Sequence, residues 1–533
     1  MTITSKYISY RETGFFSQLI LDYIQKDPAL YSLPLFPPDR LGLSKAIIER
    51  QQFATNRPAI VAHLKDQYQG IKLANPVREN IESLLQPSTF TITTAHQNNL
   101  FTGPLYFFYK ILHAIRLAMY CKVQFPELHF VPVFFIGSED ADLEELNHIH
   151  VGNLTHRWNT EQKGAVGRMK VDQELLNLID ELAGEWGGLP HGKEWIEMLK
   201  SSYQEQDTLA RATLRMVDQL FGRFGVVVID ADAKSLKELG KSIFSFDLEA
   251  GQTEAAINPT LNQMKEWGYS AQALVRPINL FYLKEGLRQR IEKVNDKWQV
   301  VGTTIQFNQQ QLMQELEQYP ERFSPNVILR GLYQSLLLPD IAFIGGGSEL
   351  AYWMPLISLH KKMSIPFPVL ILRNSFLLVS AEQSAKLAKL GLETRHLFQS
   401  IEKLLGDCYT EADKKNCSLK AELIQLQEFY RELAQKAEGV DFSLKGHAEA
   451  IGKNGERLVK GMEKKMARAI KQKYSAREKK LLALKTALFP NGKLQERVDH
   501  MGTFYAQYGS QLLDHLLEAS YPLEPFFTMT TID

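Results

Sequence analysis

Residues 90–110, FTITTAHQNNLFTGPLYFFYK, decide the fold. A β-rich run, Phe90–Thr94, passes through a polar loop into Thr102-Gly103-Pro104, which reads as a helix start. Glycine permits close backbone approach, and proline just inside a first turn sacrifices no hydrogen-bond donor. A strand that delivers a glycine-bearing loop to a helix N-terminus presents unpaired N–H groups and a positive dipole end to an anion. His96, Gln97, Asn98 and Asn99 crowd the loop with polar groups, and Thr102 is the expected N-cap. Lys110 lies six residues past Pro104, about two turns on, so its direction relative to the loop stays open. The competing reading is an ordinary strand–helix turn around a buried histidine.

Working outward, short apolar runs at Phe130–Ile136, Val226–Ile229, Ile341–Ile344 and Val369–Leu372 alternate with amphipathic stretches. Nearly continuous apolar strands separated by helices indicate a buried parallel sheet. The expected fold class is therefore α/β: a Rossmann-like parallel-sheet core over 87–150 and 221–378. Structureless loops of the lengths between these runs are improbable in a compact domain. They predict insertions at 151–220 and about 250–325, the second with hairpin-like material near Leu280–Val301. Residues 1–86 read as mostly helical. Beyond Ser380 the pattern is almost purely helical. Leu419, Leu423, Leu426, Tyr430 and Leu433 step by four, three, four and three, the a/d seam of a coiled coil. Ile451, Leu458 and Met462 continue an apolar stripe up to the break Phe489-Pro490-Asn491-Gly492. An antiparallel coiled-coil arm over 379–490 is expected, then a C-terminal helix of about 494–519 within a segment 491–533.

The bulk numbers narrow the class. The 533 residues are too many for one core, while 44% hydrophobic and 23% charged content is ordinary for a globular protein. Lys+Arg 61 balances Asp+Glu 61, which removes any global electrostatic case for nucleic acid or an anionic membrane. Arm residues Lys445–Lys480 are basic, which a solvated coiled-coil face explains as well as a phosphate-bearing ligand does. The three cysteines, Cys121, Cys408 and Cys417, form no CxxC pair; Cys121 reads as core, and the other two fall in the arm. No apolar run approaches the roughly 20 residues needed to span a bilayer, and the N-terminus carries no signal-peptide core. A cytoplasmic protein is expected.

Three further strand ends carry chemistry. VPVFFIGSEDADLEELNH (131–148) closes a strand at Gly137 and opens a helix with Glu139, Asp140 and Asp142. Carboxylates outside a strand's carboxyl end suit an ammonium, a sugar hydroxyl or hydrated Mg²⁺; alternatively they only complement a helix dipole. His148 is six positions past Asp142, a spacing that guarantees no shared metal, and no protein metal site is expected. IAFIGGGSELAYW (341–353) runs a strand into Gly345, Gly346, Gly347, Ser348 and Glu349, a second anion-receptive turn that is neither GxGxxG nor Walker A. Arg373 and Asn374 follow the strand Val369–Leu372; arginine there suits bidentate capture of carboxylate or phosphate, or a salt bridge to the acidic loop.

Together HQNNLFTGPLYFFYK, VPVFFIGSEDADLEELNH, GGGSELAYW and PVLILRNS, followed by a helical arm with EKKLLALKTALFPNGKLQER, resemble the bacillithiol biosynthesis cysteine-adding enzymes over nearly the whole chain. The resemblance implies a Rossmann core with connecting insertions and a coiled-coil arm used for dimerisation. It implies joining L-cysteine through its carboxyl to the amino group of glucosaminyl-malate. The family's Gly-Pro helix start falls on Gly103-Pro104, its acidic loop on Glu139–Asp142, and its Asn-His pair on Asn147-His148. Where members carry Gly-Gln-Gln and Gly-Pro-Gly-Glu, this chain has Ala95-His96-Gln97 and Gly346-Gly347-Ser348-Glu349. Amide formation needs an activated carboxyl, so ATP with Mg²⁺ is expected, through an acyl-adenylate or an acyl-phosphate. A synthetase-like nucleotidyltransferase for another carboxylate and a non-catalytic coiled-coil scaffold are the alternatives.

Overall fold

The computed structural model describes residues 3–152, 154–270, 272–408, 413 and 418–532. Cys417 and the side chain of Cys408 fall outside them.

The five apolar runs form one parallel sheet: β1 (Thr89–Gln97), β2 (His129–Gly137), β3 (Val227–Asp230), β4 (Asp340–Gly345) and β5 (Val369–Leu372). Their spatial order is 5-4-1-2-3, all parallel, which is the Rossmann-like arrangement expected from the sequence. Its register sets Gln97 beside Gly137, Ile136 beside Asp230, and Gly345 beside Leu372, so the carboxyl ends reach a common rim. The strand order reverses between β1 and β4, and such a switch point is where ligands sit in open α/β sheets.

Each face of the sheet is covered, so the strands are apolar on both sides. On one face Phe90, Ile92, Ile344 and Ile371 pack with Ala114, Leu117 and Cys121 of α1 (Tyr106–Gln124), and with Leu43 and Ile47 of the helix Arg40–Gln51. Burial raises the Cys121 thiol to about 12, leaving it inert. The threonines of β1 are satisfied within the sheet, as where Thr94 Oγ1 donates to the Ile344 carbonyl at 2.8 Å.

Both insertions carry structure of their own. Residues 151–220 supply helices Gln173–Trp186, Gly192–Ser202 and most of Leu209–Phe221. The second insertion contains helix Gln252–Glu266 and a five-stranded antiparallel sheet built on Leu280–Lys284, Leu287–Val294 and Lys297–Val300. It leads into α2 (Val327–Leu337), whose cap Asn326 accepts from Ile328 N at 2.9 Å. After β4 comes the short helix α3 (Gly347–Trp353).

Two expectations need correction. The N-terminal region is not all helical: Ile3–Ser9 is a strand, paired antiparallel with Phe526–Ile532 from Ile3↔Ile532 to Ser9↔Phe526. The last helix is two, Met501–Tyr508 and Gln511–Glu518. They are split at Gly509, whose φ of +69° favours glycine and where a Cβ would lie 2.7 Å from the His191 ring.

The chain divides into two compact units, Met1–Leu378 with Lys493–Asp533, and Val379–Gly492. The second contains helices Lys420–Val440 and Phe442–Lys473, which pair antiparallel about Asp441. Tyr430 and Leu426 lie against Gly452 and Gly455 of the opposing helix. Phe429, Leu458 and Met462 remain 58%, 65% and 54% exposed, an apolar stripe uncovered within one chain. Among the described residues, no helix is long and apolar enough to cross a membrane.

Candidate active site

A cleft of about 910 Å³ opens over the switch point. Ala95, His96 and Gln97 from the end of β1, Gly137, Glu139 and Asp140 past β2, Gly346, Ser348 and Glu349 past β4, and Arg373 past β5 line it. The second insertion and α2 add Phe281, Arg288, Asn326 and Arg330, and the C-terminal segment adds Arg497.

One set of groups is cationic. Lys110 does turn back toward the loop: fully buried on α1, its Nζ donates to the Ala95 carbonyl at 2.9 Å and pairs with Glu349 Oε2 at 2.6 Å. Burial lowers the Lys110 pKa, and the Glu349 carboxylate opposes that shift. Arg330 donates through Nη2 to the Tyr352 hydroxyl at 3.2 Å, while its buried Nη1 has no partner. Arg373 is 3% exposed, and its buried Nε is likewise unpartnered. His96 lies edge-on to Tyr106 with ring centroids 5.0 Å apart, and its buried Nε2 is unpaired too. Burial, then Lys110, Arg330 and Arg373, push its pKa well below the ordinary histidine value, so the imidazole is neutral. Three buried nitrogens without a partner, on Arg330, Arg373 and His96, thus gather at this one cleft.

The other set is acidic. Gln97 Nε2 donates to Asp140 Oδ2, the Ala141 amide donates to Oδ1 at 2.8 Å, and Arg288 Nη1 stands 3.8 Å away. Arg288 itself lies over the Phe281 ring at 4.0 Å. Glu139 pairs with the buried Lys237 ammonium, which also donates to the Phe323 carbonyl at 2.9 Å. Burial raises the Glu139 pKa against the Lys237 charge. Glu145 also faces the cleft, its pKa raised by burial and then by Asp142 and Asp140.

Several expected residues lie elsewhere. Thr102 caps nothing: α1 begins at Tyr106 with Leu105 at its cap. Phe101, Thr102 and Gly103 all have positive φ, 51°, 80° and 71°. The helix start is covered by the chain itself, with Leu105 N donating to the Asp499 carbonyl at 2.9 Å and His500 Nε2 to the Phe101 carbonyl at 2.8 Å. Gly103 is therefore a packed turn, where a Cβ would come 2.6 Å from Asn99. Asp142 is exposed ahead of the short helix Leu143–Leu146. Asn147 accepts from Arg157 Nη1 at 2.9 Å and faces a separate groove beside Trp158 and Asp172. His148 opens the hairpin His148–Arg157, 5.3 Å from the His150 ring. Gly345 gives its carbonyl to Arg373 N at 2.8 Å, and Gly347 packs against Ile20. The turn at α3 is not open to an anion through its first amide, because Gly346 N donates to Glu349 Oε2 at 2.8 Å. Asn374 is structural, its amide donating to His113 Nδ1 and its side chain to the Tyr521 carbonyl, each at 3.1 Å. Arg373 pairs with Glu496, not with the acidic loop.

Sequence reasoning missed Arg288, Arg330, Arg497, Tyr106, Glu145 and Tyr352. Tyr106, Glu145, Tyr352 and Arg497 sat inside quoted stretches without being singled out, whereas Arg288 and Arg330 come from elements remote in sequence with no local motif.

A Rossmann-like sheet with a charged, two-signed cleft at its switch point defines a small-molecule enzyme. The match to known families is specific: residues 3–374 match the bacillithiol biosynthesis BshC N-terminal Rossmann-like domain, and 376–532 its C-terminal coiled-coil domain. A Flavobacterium johnsoniae protein named "Putative cysteine ligase BshC" is 37% identical over 98% of this chain and 99% of its own. Proteins of the same name from Cytophaga hutchinsonii (35%; 97% of this chain, 96% of that) and Salinibacter ruber (28%; 95% and 94%) are also similar. The chain belongs to the BshC family of bacillithiol biosynthesis, a family of ligases.

Proposed function

We propose that this cleft joins the carboxyl of L-cysteine to the amino group of glucosaminyl-malate, giving the amide of bacillithiol. One observation carries the reading: unpaired buried nitrogens on Arg330, Arg373 and His96 share a single cleft with the carboxylates of Asp140 and Glu145. Malate brings two carboxylates, which charge-assisted bonds from Arg330 Nη1 and Arg373 Nε suit, with Lys110 and Arg497 adding favourable field. The sugar brings an ammonium, which must lose a proton before its nitrogen attacks. Asp140 holds that group, and Glu145, with its raised pKa, takes the proton. The new C–N bond then forms as the bond to the leaving group on the cysteine carbonyl breaks.

ATP supplies that leaving group as a co-substrate. Mg²⁺ accompanies the nucleotide, held chiefly by its phosphate oxygens. We further propose that the uncovered stripe at Phe429, Leu458 and Met462 pairs two copies into a homodimer. Incubation of the purified protein with cysteine, glucosaminyl-malate and ATP·Mg²⁺ is expected to give the conjugate by mass spectrometry. Consumption of a different amine, with no conjugate from glucosaminyl-malate, would overturn the substrate assignment.

A further inference from the structure

The run LQER, 494–497, ends the last motif quoted from the sequence, and the proposed chemistry uses only its arginine. In the fold it is a short turn, Gln495–Arg497, whose three side chains go to three places. Gln495 docks on the backbone of Leu378, accepting from its amide at 2.9 Å and donating to its carbonyl at 3.1 Å. Glu496, completely buried, takes both ends of the Arg373 guanidinium, Nη1 to Oε2 at 2.9 Å and Nη2 to Oε1 at 2.7 Å. Arg497 lines the cleft.

The consequence falls on Arg373. Its Nη1 also donates to the Asn374 carbonyl and to Ser375 Oγ, each at 3.0 Å. Glu496 takes one N–H from each terminal nitrogen, so the edge left over is the one headed by the unpartnered Nε, which a Cβ on Gly346 would approach to 3.6 Å. A planar fork clamped at one edge leaves the other edge fixed in direction. A free arginine would instead swing its stronger donors toward any carboxylate in the cleft, Glu349 included.

We propose that Glu496 is a positioning residue that clamps Arg373 by one edge so that the opposite, Nε–H edge meets the carboxylate of the bound substrate. This rests on the reading of the cleft as a dicarboxylate site. Simple electrostatics gives the opposite sign to positioning, which makes the idea testable. Removing a buried carboxylate beside a guanidinium adds a net positive charge, and charge alone would tighten binding of an anion. Loss of the clamp weakens it, because a glutamine amide would place a donor against the guanidinium's own donors and turn the fork out of register.

The experiment is calorimetric titration of L-malate into the full-length protein, with thermal melts run alongside. Expected are measurable binding by wild type, at least fivefold weaker binding by Glu496→Gln, and about threefold weaker binding by Ser375→Ala, which loosens the clamp without touching its charge. Arg373→Lys, which loses the fork but keeps the charge, is expected to weaken wild type similarly and to change the Glu496→Gln background less than twofold. A merely structural Glu496 would lower the melting temperature and leave the affinity of the folded protein unchanged, and that result overturns the proposal. Unchanged or tighter binding in both Glu496→Gln and Ser375→Ala overturns it equally. If wild type fails to bind malate, the dicarboxylate reading itself falls; if wild type binds and only Arg373 variants respond, that reading stands and the clamp does not.

Discussion

Arg330 is the residue on which anion binding tests most directly, because it lines the cleft with its Nη1 buried and unpaired, while Nη2 is held by Tyr352. A hydrogen bond to a charged group contributes about 1.5–3 kcal/mol net, roughly ten- to a hundredfold in affinity. Arg330→Ala is expected to raise KM for the dicarboxylate amine by at least tenfold in steady-state assays, with cysteine KM little changed. A second residue reports on pH. Burial raises Asp499 to about 7, above its ordinary 3.8, with a Gln495 hydrogen bond opposing the shift. Between those values the folded chain holds a proton that the unfolded chain has released, so this group's contribution to stability falls as pH rises toward 7. Asp499→Asn removes that slope. Its melting temperature relative to wild type is expected to be higher at pH 8 than at pH 5, and an equal difference at both would show that Asp499 is not buried as described.

At the scale of elements, the turn Phe101-Thr102-Gly103 is held in the left-handed region by contacts from outside it. Phe101 N donates to the Tyr203 hydroxyl at 3.0 Å, and His500 holds the Phe101 carbonyl. Gly103→Ala meets both an unfavourable φ and the Asn99 side chain. It is expected to cost about 1–3 kcal/mol, read by denaturant titration. The same turn shows what a sequence discloses. The strand, the loop and the helix were legible from Phe90–Lys110 because apolar runs and a Gly-Pro pair are local signals. What fills the helix start was not, since Asp499 and His500 are about four hundred residues away and carry no mark of their destination. For the same reason the acidic loop was recognised yet only Glu139 and Asp140 of its residues named for the site reach the cleft. Spacing along a chain fixes order, while direction into a cavity depends on packing. The strand Ile3–Ser9 escaped notice because it is mostly exposed and lacks a continuous apolar run.

At the scale of the whole molecule, the proposed dimer rests on Phe429, Leu458 and Met462 of the second unit. Leu458→Glu with Met462→Glu is expected to halve the mass measured by light scattering while leaving malate affinity in the cleft unchanged. A mass that does not shift would place any association elsewhere. The two-point docking of Gln495 on Leu378 has a consequence of another kind. Between these residues the chain makes its entire excursion through Val379–Gly492 and comes back to where it left. Residues 117 apart in sequence are spatial neighbours at such a neck, the condition under which insertion or excision of a segment is tolerated. The long helical hairpin is thus grafted on at a closed stem. Replacing it by a few flexible residues should yield a shorter polypeptide that still closes its sheet around an intact cavity.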